Sequence, residues 1–135
     1  MAANLLWTEE DGKLGFGDFS LPEKQKTEDY PHDGNLLKVK TFKDITKLEK
    51  NGLFLYESVP GTRVEHFIET ADGVSFVVSG DQDAQITLGL QDDTLYDITV
   101  DGEDAGAVQT GLGGKLSVSV ELAKADKVSV QVKKA

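Results

Sequence analysis

The chain of 135 residues has no cysteine, one arginine (Arg63), one tryptophan (Trp7), two histidines and three prolines. Without cysteine there is no disulfide framework, no thiolate metal ligand and no thiol nucleophile. No stretch approaches the roughly 18 apolar residues needed to span a bilayer. The start, Met1 to Trp7, has no basic segment followed by a long apolar run, so it does not read as a secretory signal. The expectation is a soluble, cytoplasmic protein with no membrane partner. Bases are scarce as well: 14 against 24 acids, a formal net charge of −10. Each contact with a phosphate backbone would work against that field, so nucleic acid is not an expected partner.

The charge is placed in blocks. Residues 1–35 carry eight acids and three bases, and residues 36–63 six bases and three acids. Residues 64–114 carry eleven acids and no base, and residues 115–135 five bases and two acids. Such blocks can neutralise one another within a fold or between subunits.

Apolar residues make up 39% of the chain, and Phe16, Phe19, Phe42, Phe54, Phe67 and Phe76 are spread along it. That is enough for one hydrophobic core in one domain spanning 1–135. Residues 63–135 are the more legible part. Apolar and polar residues alternate there in short runs, with turn residues between them at the spacing of an all-β sandwich. Strands are predicted over 63–70, 74–79, 84–90, 95–101, 105–110, 115–122 and 126–133. Ala71-Asp72-Gly73 joins the first two, and Asp101-Gly102-Glu103-Asp104 joins the fourth and fifth. In the last two, Leu116, Val118, Val120, Val128, Val130 and Val132 share an aliphatic face opposite Ser117, Ser119, Ser129 and Gln131. This is the pattern of an antiparallel sheet with one wet side. Either strand, if at a sheet edge, offers a place for another chain to pair, with Lys127 and Lys133 as guards.

Residues 1–62 are less regular. A strand over 13–20 is broken by Gly15 and Gly17, and residues 21–34 read as a loop or extended arm. Alternation returns over 36–43. Residues 41–50 fit either a short helix capped by Thr41 or the first arm of a hairpin turning at Asn51-Gly52, with Leu48 opposite Leu55. A strand follows over 53–58 and ends at Pro60-Gly61.

The segment Leu90-x-x-x-Thr94-x-Tyr96-x-Ile98-x-Val100 resembles the strand-entry pattern of fibronectin type III and other immunoglobulin-like sandwiches. There a tyrosine packs inward while its hydroxyl bonds back to the turn. The resemblance implies an immunoglobulin-like second half with extra N-terminal strands. The segments Lys47-Leu48-Glu49-Lys50-Asn51-Gly52, Tyr56-Glu57-Ser58-Val59-Pro60-Gly61 and Gly113-Gly114-Lys115-Leu116-Ser117 resemble a group of short proteins from anaerobic Firmicutes, some labelled endosialidase. Sialidases clamp the sugar carboxylate with several arginines, and Arg63 stands alone.

No catalytic constellation and no cofactor motif emerges. Gly111-Leu112-Gly113-Gly114 leads into a strand, whereas a phosphate loop leads into a helix. No serine sits in a Gly-x-Ser-x-Gly elbow. His32 and His66 are the acid–base candidates. His66 is read as a surface residue on the face opposite Val64 and Ile68. Asp81, Asp83, Asp101, Glu103 and Asp104 crowd turns and are the weak candidates for calcium, though neither cluster has the EF-hand spacing. Ligand candidates are Trp7, Tyr30 and Tyr56, whose rings suit sugar stacking, with Arg63 and His66. Trp7 also reads as an anchor for the N-terminus. The expected function is a non-catalytic binding or self-assembly module, with a homo-oligomer or another protein as partner. The alternative is a carbohydrate-binding or glycan-acting accessory protein.

Overall fold

Alternation becomes thirteen strands and no helix over residues 4–135, the part of the chain that the computed structural model describes. Residues 1–3, part of the start read above for a secretory signal, lie outside the described residues. The strands form two antiparallel sheets packed as a β-sandwich. The first contains, in spatial order, β1 (Leu6–Thr8), β2 (Leu14–Phe16), β7 (Arg63–Thr70), β8 (Gly73–Ser79), β13 (Val128–Lys134), β10 (Leu95–Val100) and β11 (Glu103–Gln109). The second contains β12 (Lys115–Val120), β9 (Ala84–Gly89), β6 (Leu53–Val59), β5 (Ile45–Lys50), β4 (Asn35–Phe42) and β3 (Gln25–His32).

The aliphatic faces of β12 and β13 meet the core as expected, while Ser117, Ser119, Ser129 and Gln131 stay exposed. At the centre Phe16, Tyr56, Phe67 and Phe76 pack mostly edge to face, with Phe16 and Tyr56 centroids 5.0 Å apart. That is the geometry the aromatic quadrupole favours. Phe19, Phe42 and Phe54 are only half-buried. Tyr96 is buried, and its hydroxyl accepts the Gln91 N–H at 3.2 Å, bracing the turn five residues upstream.

Where the chain passes from β6 to β7, the core is polar. Thr41, Thr46, Ser58 and Thr62 are all fully buried. The Thr62 hydroxyl lies 2.8 Å from both Tyr56 Oη and Ser58 Oγ. Thr46 Oγ1 donates to the Thr62 carbonyl at 3.0 Å and lies 2.8 Å from Thr41 Oγ1. Thr41 Oγ1 in turn accepts the Asp18 N–H at 2.9 Å. Hydroxyls tie this crossover to β4, β5 and β6, and no buried side-chain N or O among the described residues lacks a partner.

Several expectations are corrected. Residues 25–32, within the stretch read as a loop or extended arm, form β3. Pro31 is tolerated because β3 lies at a sheet edge, where a missing N–H breaks no ladder. Of the two readings of residues 41–50 the helix falls and the hairpin stands: β5 and β6 turn at Asn51-Gly52, with φ of 52° and 80°, while β4 and β5 form a second hairpin before it. Leu48 faces Tyr56 and not Leu55, because Leu55 is the extra residue of a bulge in β6. The Asp101-Gly102 turn takes two residues, so β11 starts at Glu103. β13 is no edge: it lies between β8 and β10, and Lys127 pairs with Glu65 instead of guarding a free strand. In β7, regular alternation would carry His66 to the side of Val64. A bulge at His66, with φ of 55°, turns its ring outward and gives the next inward position to Phe67, leaving Ile68 38% exposed.

Candidate functional site

Two surfaces stand out, and the first is the outer face of the first sheet around the β7 bulge. Trp7 on β1 faces Gly15 on β2, and a Cβ at Gly15 would fall within the indole. The ring therefore lies flat on the backbone, which only glycine permits. Arg63 lies 4.5 Å from the Trp7 ring and also pairs with Glu65 at 3.6 Å. Lys127 reaches Glu65 at 3.2 Å. Burial pushes the Glu65 carboxyl up, but Lys127, Arg63 and His66 together outweigh it and hold the group below the usual carboxylate range.

Glu9 closes the cluster. One carboxylate oxygen accepts the His66 backbone N–H at 3.1 Å and the other lies 2.8 Å from His66 Nδ1. Among the described residues Glu9, Glu65 and His66 converge as candidate metal ligands. The donor set does not suit a cation: Glu65 is already held by two bases, and Glu9 is occupied by the bulge it stabilises. The cluster fastens the end of β1 to β7.

The other predicted site residues are dispersed. Tyr56 is fully buried in the core, and burial pushes its phenol well above the ordinary range. Tyr30 is half-buried, its hydroxyl 2.9 Å from Thr8 Oγ1. His32 lines a cleft of about 610 Å³ at one end of the sandwich, but its Nε2 is taken by the Gly12 carbonyl at 2.8 Å. Asp83 accepts the Ala123 N–H, Asp101 the Ser129 N–H and Asp104 the Gly106 N–H, so each of these carboxylates is already engaged by a backbone amide. Asp81 and Glu103 are exposed.

The second surface is an edge. Among the described residues four strands have an unpaired side: β1, β3, β11 and β12. β1 has three residues, and its Thr8 meets Tyr30 of β3, which draws the two sheets together there. β3 also carries Pro31, a bulge at Asp29 with φ of 55°, Lys26 and Glu28. β11 is exposed along its whole length and is interrupted by Gly106 at φ of 100°, beside Glu103 and Asp104. Prolines, bulges and charges are the usual protections of a free strand.

β12 has no proline and no bulge, and its one charge, Lys115, stands at its start. It keeps unbroken register with β9 from Lys115↔Gly89 to Val120↔Ala84, and its exposed side chains between Lys115 and Glu121 are Ser117 and Ser119. Leu90 donates its N–H to the Gly114 carbonyl. From that bond the antiparallel alternation turns the amides of residues 116, 118 and 120 toward β9 and those of residues 115, 117, 119 and 121 to the free side. Lys115 also lies 5.1 Å from the Phe54 ring. Beside this edge a gap of about 500 Å³ separates β12 from β11, lined by Val100, Asp104, Val120 and Ala125 among others.

No protein-family model, curated protein or solved structure matches this chain.

The edge was legible as a possibility in the Ser/Val alternation of residues 115–122. Glu9 was missed. It is 57 residues from His66 in the chain, and no local pattern marks an acid that will cap a distant bulge.

Proposed function

We propose that this protein is a non-catalytic binding and assembly module that engages its partner by strand addition at β12. The observation that carries the reading is the contrast among the four edges: β12 alone offers a regular row of amides without proline, bulge or mid-strand charge. In strand addition the main-chain bonds supply affinity and the alternate side chains supply specificity. No helix in the described structure is long and apolar enough to cross a membrane.

The glycan reading has less behind it. Stacking on a pyranose needs a free aromatic face, whereas Tyr56 is buried and Trp7 carries Gly15 and Arg63 against its ring. Arg63, the only guanidinium, is engaged by Glu65.

Size-exclusion chromatography with light scattering, from micromolar to near-millimolar protein and at low and high salt, tests the assembly version. Concentration-dependent association is expected. A mass of 14.6 kDa under every condition would remove it.

A further inference from the structure

The sequence at the β12 edge reads nearly the same in both directions. From Lys115 it runs Lys-Leu-Ser-Val-Ser-Val-Glu, and about Val118 the positions pair Lys115 with Glu121, Leu116 with Val120 and Ser117 with Ser119. We infer that the partner strand is β12 of a second copy of this chain, antiparallel, with a two-fold axis passing through Val118. This deepens the assembly reading and rests on it.

The hydrogen-bond pattern admits this axis. Val118 directs its amide toward β9, so the Val118–Val118 centre is a non-hydrogen-bonded pair. The outward N–H and C=O groups of Ser117 then meet those of the second copy's Ser119, and those of Lys115 meet the second copy's Glu121, twice over by symmetry. Faces also match. Leu116, Val118 and Val120 stay on the core side, while Lys115, Ser117, Ser119 and Glu121 stay on the wet side. The two six-stranded sheets become one continuous sheet.

Charge fixes the register. A shift by two residues either way keeps the faces but sets Lys115 against Ser119 or Ala123, leaving Glu121 without its cation. Only the register centred on Val118 gives two opposite-charge cross-strand pairs. Their effect lies in the choice of register more than in affinity, since Lys115 already rests near Phe54 and an exposed contact of that kind is comparable in strength. The other edges lack such symmetry: β11 has Glu103 and Asp104 at one end and no base within its span.

The test uses the full chain and analytical ultracentrifugation over a wide concentration range. Wild type is expected to reach twice its monomer mass. Ser119→Pro removes one outward N–H and no bond to β9, a substitution tolerated at edge strands, and is expected to be monomeric with an unchanged circular dichroism spectrum. Lys115→Glu and Glu121→Lys each set like charges opposite one another and are expected to weaken the dimer by about tenfold or more. Lys115→Glu/Glu121→Lys is expected to regain most of the lost affinity. A wild type that stays monomeric sinks assembly itself. A wild-type dimer undisturbed by a folded Ser119→Pro and by both charge reversals leaves assembly standing but overturns β12 as its surface. Single reversals that weaken the dimer without rescue in the double variant overturn the Val118 register, and they decide that point even where Ser119→Pro does not fold.

Discussion

Replacing Thr62 by valine keeps the shape of the side chain and deletes one oxygen, and the buried hydroxyl network makes the consequence calculable. Thr62 Oγ1 is the hydrogen-bond partner of both Tyr56 Oη and Ser58 Oγ, each at 2.8 Å, and both residues are fully buried. Thr62→Val therefore strands two buried hydroxyls. At about 1–3 kcal/mol for each orphaned group, the loss should be about 2–6 kcal/mol. Tyr56→Phe removes one hydroxyl and leaves Thr62 its bond to Ser58, so its loss should be only about 0.5–1.5 kcal/mol. Tyr56→Phe/Ser58→Ala/Thr62→Val leaves no hydroxyl stranded within this group of three and should be less destabilised than Thr62→Val alone. Urea denaturation at neutral pH and a fixed protein concentration gives the three values, and equal slopes with urea license the comparison. A Thr62→Val variant within about 0.5 kcal/mol of wild type, below the smallest penalty for one stranded hydroxyl, would refute the network as a source of stability. So would a triple variant less stable than that single one.

Further outcomes follow from named contacts. Gly15→Ala should lift Trp7 from β2, and because Trp7 is the only tryptophan, its fluorescence emission should shift to the red, with a stability loss of roughly 1–3 kcal/mol. An unchanged emission spectrum would contradict the packing. Tyr56 is held neutral by burial, so its folded pKa lies above the ordinary 10.0. The stability it contributes is complete below pH 10 and falls as pH rises above it, by up to about 1.4 kcal/mol per unit. Tyr56→Phe should lose less stability than wild type between pH 9 and pH 11, and parallel alkaline curves would refute this. Glu65 has a lowered pKa, so its contribution is present above the ordinary 4.5 and disappears as pH falls through the lower folded value. The stability gap between wild type and Lys127→Met should therefore be open at pH 7 and close in acid, as followed by thermal melts. A gap independent of pH would count against the ion pair.

The division of the chain into strands was legible wherever alternation was regular, as in residues 115–122, because side-chain period is a local property. What failed was non-local. β3 was hidden because Pro31 and the acids around it read as loop, and only its place at an edge makes them compatible with a strand. His66 was expected on the surface, which is where it lies, yet the reason is a bulge that no window around it announces. The same limit applies to the sites. Trp7 and Arg63 were both singled out, but their stacking depends on β2 lying between β1 and β7. Tyr56 was misplaced because the bulge at Leu55 buries two consecutive residues and breaks the alternation on which an outward tyrosine depends. The position of β13 between β8 and β10 had no local signal at all.

That position bears on how the chain is made. During synthesis β8 and β10 leave the ribosome with the strand that must join them still unwritten, so the first sheet exists as two separated pieces, one of β1, β2, β7 and β8 and the other of β10 and β11. Until translation passes Lys134, the flanks of β8 and β10 are open strands with Val74, Phe76, Val78, Tyr96 and Ile98 beside them. The first sheet is therefore closed only by β13, and a chain not yet extended through β13 leaves open two strand flanks that the finished sheet conceals.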